Sequence, residues 1–130
     1  MIKSKINISG FKIGTAENRK GLTGVTVILA PDGGATAGVD VRGCAPGTRE
    51  TDLLDPRKTV QKIHAVVLSG GSAFGLEAAS GCVKYLAEQG VGFPIGNVCV
   101  PIVCSAVLFD LMIGDEKAYP DLLMGYEAAK

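Results

Sequence analysis

The run Ile63-His64-Ala65-Val66-Val67-Leu68 passes through Ser69-Gly70-Gly71-Ser72 directly into Ala73–Gln89. This join limits the fold more than any other stretch. A continuous apolar centre predicts a strand over 63–68 that is buried on both faces. The segment behind it repeats Gly75, Ala79, Cys82, Val83 and Leu86 at helical spacing, with Glu77, Lys84 and Glu88 on the polar positions. Gly90 stands where a helix C-cap is expected. Gly75, Ala78, Ala79, Ser80 and Gly81 are smaller than the apolar stripe of an ordinary surface helix, and they let another helix or a sheet come unusually close. A strand that turns at glycines into such a helix belongs in layered α/β or α+β architecture.

Upstream, Ile6, Ile8, Phe11 and Ile13 alternate weakly before the polar turn Glu17–Gly21. Thr23–Ala30 is β-branched and predicts a strand. Pro31-Asp32-Gly33-Gly34 is a turn signal, so Thr23–Ala30 and Ala35–Val41 together predict a hairpin. Val98–Leu111 predicts one strand followed by a helical or irregular turn, and a helix opens from Pro120. At 130 residues the chain reads as a single domain, 1–130.

Composition acts mainly by exclusion. Thirteen basic and 13 acidic residues give a formal net charge of zero. A nucleic acid or an anionic membrane surface calls for a basic excess that this chain lacks. Near-neutrality favours self-association instead. No apolar run reaches the ~18 residues of a membrane span. The opening MIKSKINISG has no apolar signal core, so the expected location is cytoplasmic. The four cysteines, Cys44, Cys82, Cys99 and Cys104, form no CxxC pair and have a single histidine for company. That spacing argues against zinc and for reduced, mostly buried thiols, and no metal or other cofactor is expected.

Two segments carry candidate chemistry. Backbone N–H groups converge at Gly70-Gly71-Ser72, where a helix start can hold an anion or stabilise an oxyanion, and Ser72 is placed to act as N-cap. Neither the G-x-S-x-G elbow nor the P-loop spacing is present. In the charged stretch Gly38–Leu54, Arg42, Arg49, Glu50 and Asp52 suit either a buried ion-pair lattice or the binding of a substrate carboxylate. Asp40 and Asp110 are carboxylates beside apolar runs and stand as general-base candidates. His64, inside an apolar strand, reads as a core residue.

The phrases TGVTVILAPDGGATAGVDVRGCAPGTRETDLLDP, IHAVVLSGGSAFGLEAASGCVKYL, GVGF, VPIVCSAVLFDL and PDLLMGYEAAK run from Gly21 to Lys130. They resemble the S58 (DmpA-like) peptidases, the L-aminopeptidase/D-amidase-esterase and β-aminopeptidase group. The resemblance implies an αββα four-layer sandwich of the DmpA/ornithine-acetyltransferase-like type, of which this chain is the N-terminal portion. It implies a precursor that cleaves itself before a Ser or Thr, which then serves as an N-terminal nucleophile assisted by its own amine. Activity without a metal on N-terminal residues of peptides, amides or esters, and assembly as oligomers, are further implications.

The family's nucleophile, oxyanion-side Asn and Lys lie downstream of the Gly125-Tyr126-Glu127-Ala128-Ala129 region. The 130 residues are therefore expected to be inactive alone and to need a C-terminal half or β-chain as partner. A Tyr of some members falls at Phe109, which has no hydroxyl; Cys104 stands where Pro is usual and Cys44 where Gly is common. The loops 42–52 and 70–75 are expected to shape the pocket, with Arg42, Gly43, Arg49, Glu50, Gly70, Gly71, Ser72 and Phe74 as candidates. Two other readings are a catalytically inactive homo-oligomeric module and an anion-binding module at Gly70–Ser72.

Overall fold

The computed structural model describes residues 8–130. Two strands, β1 (Lys12–Asn18) and β2 (Thr23–Leu29), form an antiparallel hairpin with Lys12 opposite Leu29 and Asn18 opposite Thr23. The turn is local chemistry. Asn18 Oδ1 accepts from Lys20 N at 3.2 Å and from Gly21 N at 2.9 Å, the bonding of an Asx turn. Two-residue β3 (Thr48–Arg49), β4 (Ala65–Ser69) and β7 (Val103–Val107) complete a sheet of order β1-β2-β4-β7-β3. Short β5 (Phe93–Ile95) and β6 (Val98–Val100) make a separate hairpin.

β4 and β7 are parallel neighbours, so the chain between them must cross over, and helix α1 (Ala78–Glu88) lies in that connection. A second helix, α2 (Leu122–Ala129), is capped by Asp121, whose Oδ1 accepts from Met124 N at 2.8 Å. Both helices pack on one face of the sheet. Val25, Val27, Ala65, Val67 and Val103 point into a core shared with Ala78, Ala79, Cys82, Leu86, Ala128 and Ala129. Full burial of Val27 and Val67 contributes roughly 1.5–3 kcal/mol each.

Backbones meet closely in this layer. A Cβ on Gly81 would collide with Leu122 O, one on Gly125 with Ala78 O, and one on Gly14 with Ala128 O. The small residues read from the sequence thus let α1 reach α2, while Gly14 lets α2 reach β1. Helix α1 ends at Gly90 (φ +69°), with Val91 N bonded to Leu86 O at 2.9 Å and Gly90 N to Ala87 O at 3.0 Å. That pair of bonds is a Schellman C-cap.

Four expectations are corrected. The hairpin partner of β2 is β1, not 35–41, because β1 and β4 already occupy both edges of β2. Beyond the turn only Ala35 pairs, with Ile63, and 36–47 is irregular. The expected strand 63–68 is β4, two residues shorter at the front and one longer behind, and it is buried on one face only. Val66 is half-buried and Leu68 is 47% exposed, so its apolar run reflects a second face with no layer over it among the described residues. The helix predicted from 73 begins as a 3-10 helix at Ser72–Glu77 and becomes α-helical at Ala78. Val98–Leu111 holds two strands, β6 and β7, before an irregular stretch. Ile6 lies outside the described residues.

Candidate functional site

The parallel pair β4 and β7 aim their carboxyl ends the same way, and the polar cluster of the chain forms there. Ser69 is followed by Gly70, then by Gly71 at φ +80° and Ser72 at φ +53°. Each glycine is required by what it touches. A Cβ on Gly70 would collide with Asp110 Oδ2 and Thr23 Oγ1, and one on Gly71 would lie 2.6 Å from Tyr119 Cβ. A Cβ on Gly75 would run into Gly70 O. The LSGGSAFGL phrase is therefore a packing requirement as well as a turn.

Asp110, two residues beyond the Leu108 that follows β7, pins this junction. Its Oδ1 accepts from Gly71 N at 2.6 Å and its Oδ2 from Thr23 Oγ1 at 2.7 Å. Around it, Ser72 N donates to Leu108 O and Leu108 N to Ser69 O, each at 3.0 Å, and Gly70 N donates to Gly24 O at 2.9 Å. Three strands are thereby tied at one point. Hydrogen bonds to an ionised carboxylate are the stronger kind, so Asp110 holds the loop more firmly than a neutral side chain can. It also fills the amide nearest the helix start, and its role here is positioning.

Beside the pin a cleft of about 660 Å³ runs along the uncovered side of the sheet, bounded by Asn18, Thr23, Thr26, Gly70, Leu108 and Asp110. Phe109, between the lining residues Leu108 and Asp110, is 64% exposed, and Phe74 stacks on Tyr119 with ring centroids 4.7 Å apart. Gly70, Gly71, Ser72, Phe109 and Asp110 are thus brought together, and Phe74 flanks them.

The charged loop behaves otherwise. Among the described residues Arg42 pairs only with Asp40, at 2.6 Å on the surface, and Gly43 has open space around it. Arg49 turns to the helix face, where its Nη1 donates to Ser80 Oγ at 2.7 Å. Glu50, at φ +59°, lends its backbone carbonyl to the Cys104 thiol at 3.3 Å. The expected buried lattice of Arg42, Arg49, Glu50 and Asp52 is not formed, since β3 is two residues long and sends Arg49 inward alone. The chain does rejoin the site's end of the sheet at Gly47, whose carbonyl accepts from Val107 N at 3.0 Å.

Ser72 is not an N-cap. Gly71 holds that position and the Ser72 side chain makes no capping bond, because its positive φ carries the backbone through the turn. Two thiols are buried and two, Cys44 and Cys99, are exposed, which corrects the expectation of mostly buried cysteines. Burial pushes the Cys82 thiol up to about 12, and burial together with Glu50 raises that of Cys104. His64 is a buried core residue as expected. Burial lowers its pKa, and its Nδ1 accepts from Ile102 N at 3.0 Å.

Among the described residues no serine, threonine or cysteine is hydrogen-bonded to a histidine or lysine. No group of three or more His, Cys, Asp or Glu is arranged to hold a metal there, and no helix is long and apolar enough to cross a membrane. Sequence reasoning missed Thr23, Tyr119 and Ser80. Thr23 was visible only as the start of a strand, and its partner lies 87 positions away.

A sheet covered by helices on one face, with its polar cluster at the carboxyl ends of two parallel strands, has the arrangement by which open α/β sheets build ligand sites. Known sequences carry the identification further. The family model of peptidase family S58 matches residues 5–129, and the chain belongs to that family. It is 50% identical over 107 residues to an uncharacterized aminopeptidase of Mycobacterium leprae (strain TN), covering 82% of this chain and 29% of that protein. A 6-aminohexanoate-oligomer endohydrolase of Kocuria sp. (strain KY2) is 34% identical over 124 residues, covering 95% of this chain and 32% of the relative. The chain thus spans about a third of the length of these curated relatives.

Proposed function

We propose that the chain forms one α-plus-sheet half of an S58 amidohydrolase, and that a second half supplies the hydroxyl nucleophile and the other sheet of an αββα sandwich. The observation that carries this reading is the uncovered sheet face beside the pinned junction. Ile13 is 43% exposed and Leu68 47% exposed on that face, with Thr26, Ile28 and Val66 half-buried between them. An apolar face of this kind calls for a covering layer. The cleft opens toward the same side, so the covering layer would close it into a pocket.

In this reading the nucleophile is a Ser or Thr released at a new N-terminus by self-cleavage, with its own amine as base. The Gly70–Gly71–Ser72 turn is the rigid wall of the pocket, and Phe109 is an apolar rim residue with no hydroxyl to contribute. Substrates are peptides or related amides, a class that spans the aminopeptidase and the amide-oligomer hydrolase among the relatives. Asp110 acts through the loop rather than on the substrate.

Co-expression of this chain with the downstream two-thirds of a close relative tests the proposal. The purified complex is expected to release nitroaniline from aminoacyl p-nitroanilides or to cleave 6-aminohexanoate oligomers. An assembled complex that stays inactive on both would rule it out. The uncovered face also favours a second reading, a homo-oligomeric binding module. A stable multimer in light scattering with no activity under complementation would support that one.

A further inference from the structure

The edge of a sheet takes up a further strand unless something blunts it, and the described edges of this protein are blunted in all but one case. In the five-stranded sheet, edge strand β1 carries Lys12 and Glu17, and edge strand β3 is two residues long and ends in Arg49. In the separate hairpin, β5 holds Pro94. Strand β6, Val98-Cys99-Val100, has neither a charge nor a proline. Its flanks add no charge, since no residue between Glu88 and Asp110 is charged.

The register decides which backbone groups β6 leaves open. Ile95 faces Val98 across the two-residue turn Gly96-Asn97, with Gly96 at φ +58°. Residues flanking such a turn form a hydrogen-bonded pair, and the antiparallel ladder alternates from there. Pro94 and Cys99, the next pair, therefore turn their backbone outward. On β5 that position has no N–H to offer, so proline closes the edge. On β6 it is Cys99, whose N–H and C=O both point away from the hairpin. No backbone group from elsewhere in the described residues bonds to them. Side chains favour the same edge: Val98 is 60% exposed, Val100 42% and Ile95 57%, and they share a face with Phe93. A lone two-stranded hairpin is marginal in water, and further strands with an apolar face stabilise it.

We propose that β6 pairs antiparallel with β6 of a second copy about a two-fold axis at Cys99, joining the two hairpins into a four-stranded sheet. The missing charge favours self-pairing in particular. A two-fold contact sets a strand against its own image, so any charge on it would meet its like. The two Cys99 residues exchange N–H···O bonds with Cα atoms about 5.5 Å apart, and Val98 stands opposite Val100 of the other copy. Pro101, with no N–H, ends the pairing. The contact is made by a different sheet from the one with the uncovered face, and it is independent of hydrolysis.

Bismaleimidoethane, a short thiol–thiol cross-linker, tests the pairing in a chain carrying Ile13→Lys, Leu68→Lys and Cys44→Ser. There the uncovered face is charged, and Cys99 is the one exposed thiol among the described residues. A covalent dimer is expected, and adding Cys99→Ser should abolish it. Val98→Lys should slow its formation about tenfold, and Val100→Glu likewise. Mixing those two chains should restore cross-linking as a heterodimer, because position 98 of one copy then meets position 100 of the other with opposite charge. Absence of a dimer in this background, a dimer indifferent to Val98→Lys, or a mixture that restores nothing would each overturn the proposal. So would a Cys99 that stops cross-linking once a co-expressed downstream half is bound, which would give the edge to that half.

Discussion

Asp110 shows how one side chain can fix a site without acting in it. Its carboxylate accepts from the Gly71 amide and the Thr23 hydroxyl, so truncation leaves two half-buried donors without a partner. Asp110→Ala is expected to destabilise the fold by about 1–3 kcal/mol. Asp110→Asn keeps one acceptor and an isosteric shape, and should lose less. Urea unfolding of the pair distinguishes them, and equal losses would show that the pin is not charge-assisted. His64 gives a pH signature of its own. Its folded pKa lies below the ordinary 6.5 because burial disfavours the cation, so the unfolded chain takes up the proton first. Stability should be flat with respect to this group above about pH 6.5 and fall as pH drops from there toward the folded value. His64→Gln should remove that part of the slope; an unchanged slope would assign it to carboxylates instead. The thiols divide by burial in the same way. Iodoacetamide should label Cys44 and Cys99 in the native chain and spare Cys82, whose pKa is pushed up to about 12.

At the scale of elements, glycine decides which surfaces meet. Gly81 and Gly125 let α1 and α2 bring backbone against backbone, and Ala at either position would drive a methyl into a carbonyl that cannot swing away. Each substitution should cost about 3 kcal/mol, the upper end of overpacking effects. Gly33→Ala, at φ +82° with nothing within 4 Å, should cost only about 1–2 kcal/mol through backbone strain. Thermal unfolding orders the three, and a Gly81→Ala loss no larger than that of Gly33→Ala would show the helices able to separate. These positions also mark what the sequence could reveal. The stripe from Gly75 to Gly81 announced a close neighbour, and the β-branched run at 23–30 announced β2. Both signals are local, being periodicity and side-chain size. The strand order was hidden, because the choice of β1 over 35–41 as the hairpin partner depends on competition for the edges of β2. The pin was hidden for a related reason. Asp110 stood out as a carboxylate at the end of an apolar run, but Thr23 and Gly71 reach it only after three strands have assembled. The charged loop misled because opposite charges adjacent in sequence imply pairing, whereas a two-residue β3 separates Arg49 from its neighbours.

Across the whole molecule the governing fact is asymmetry. One sheet face is buried under α1 and α2, while the other presents Ile13, Thr26, Ile28, Val66 and Leu68 without a layer among the described residues. A domain with zero net charge has little repulsion to keep such faces apart. Whatever normally covers this face, the isolated chain should hide it by pairing with a second copy at high concentration. In a two-fold contact each residue is buried on both copies, so removing a half-exposed apolar side chain counts twice. Losing about 1 kcal/mol of burial at each of Ile13 and Leu68 on each copy amounts to roughly 4 kcal/mol, or about a thousandfold in dissociation constant. Ile13→Lys with Leu68→Lys should therefore move light scattering from multimer toward monomer. Both side chains leave the sheet on the side away from the helices, so the core should keep its circular dichroism and its urea midpoint to within about 1 kcal/mol. The same double variant should fail to assemble with a downstream half in co-expression, since the second sheet would compete for this face. A variant that loses self-association yet still pairs with that half would place the covering layer elsewhere, and the sandwich reading would then have to be given up.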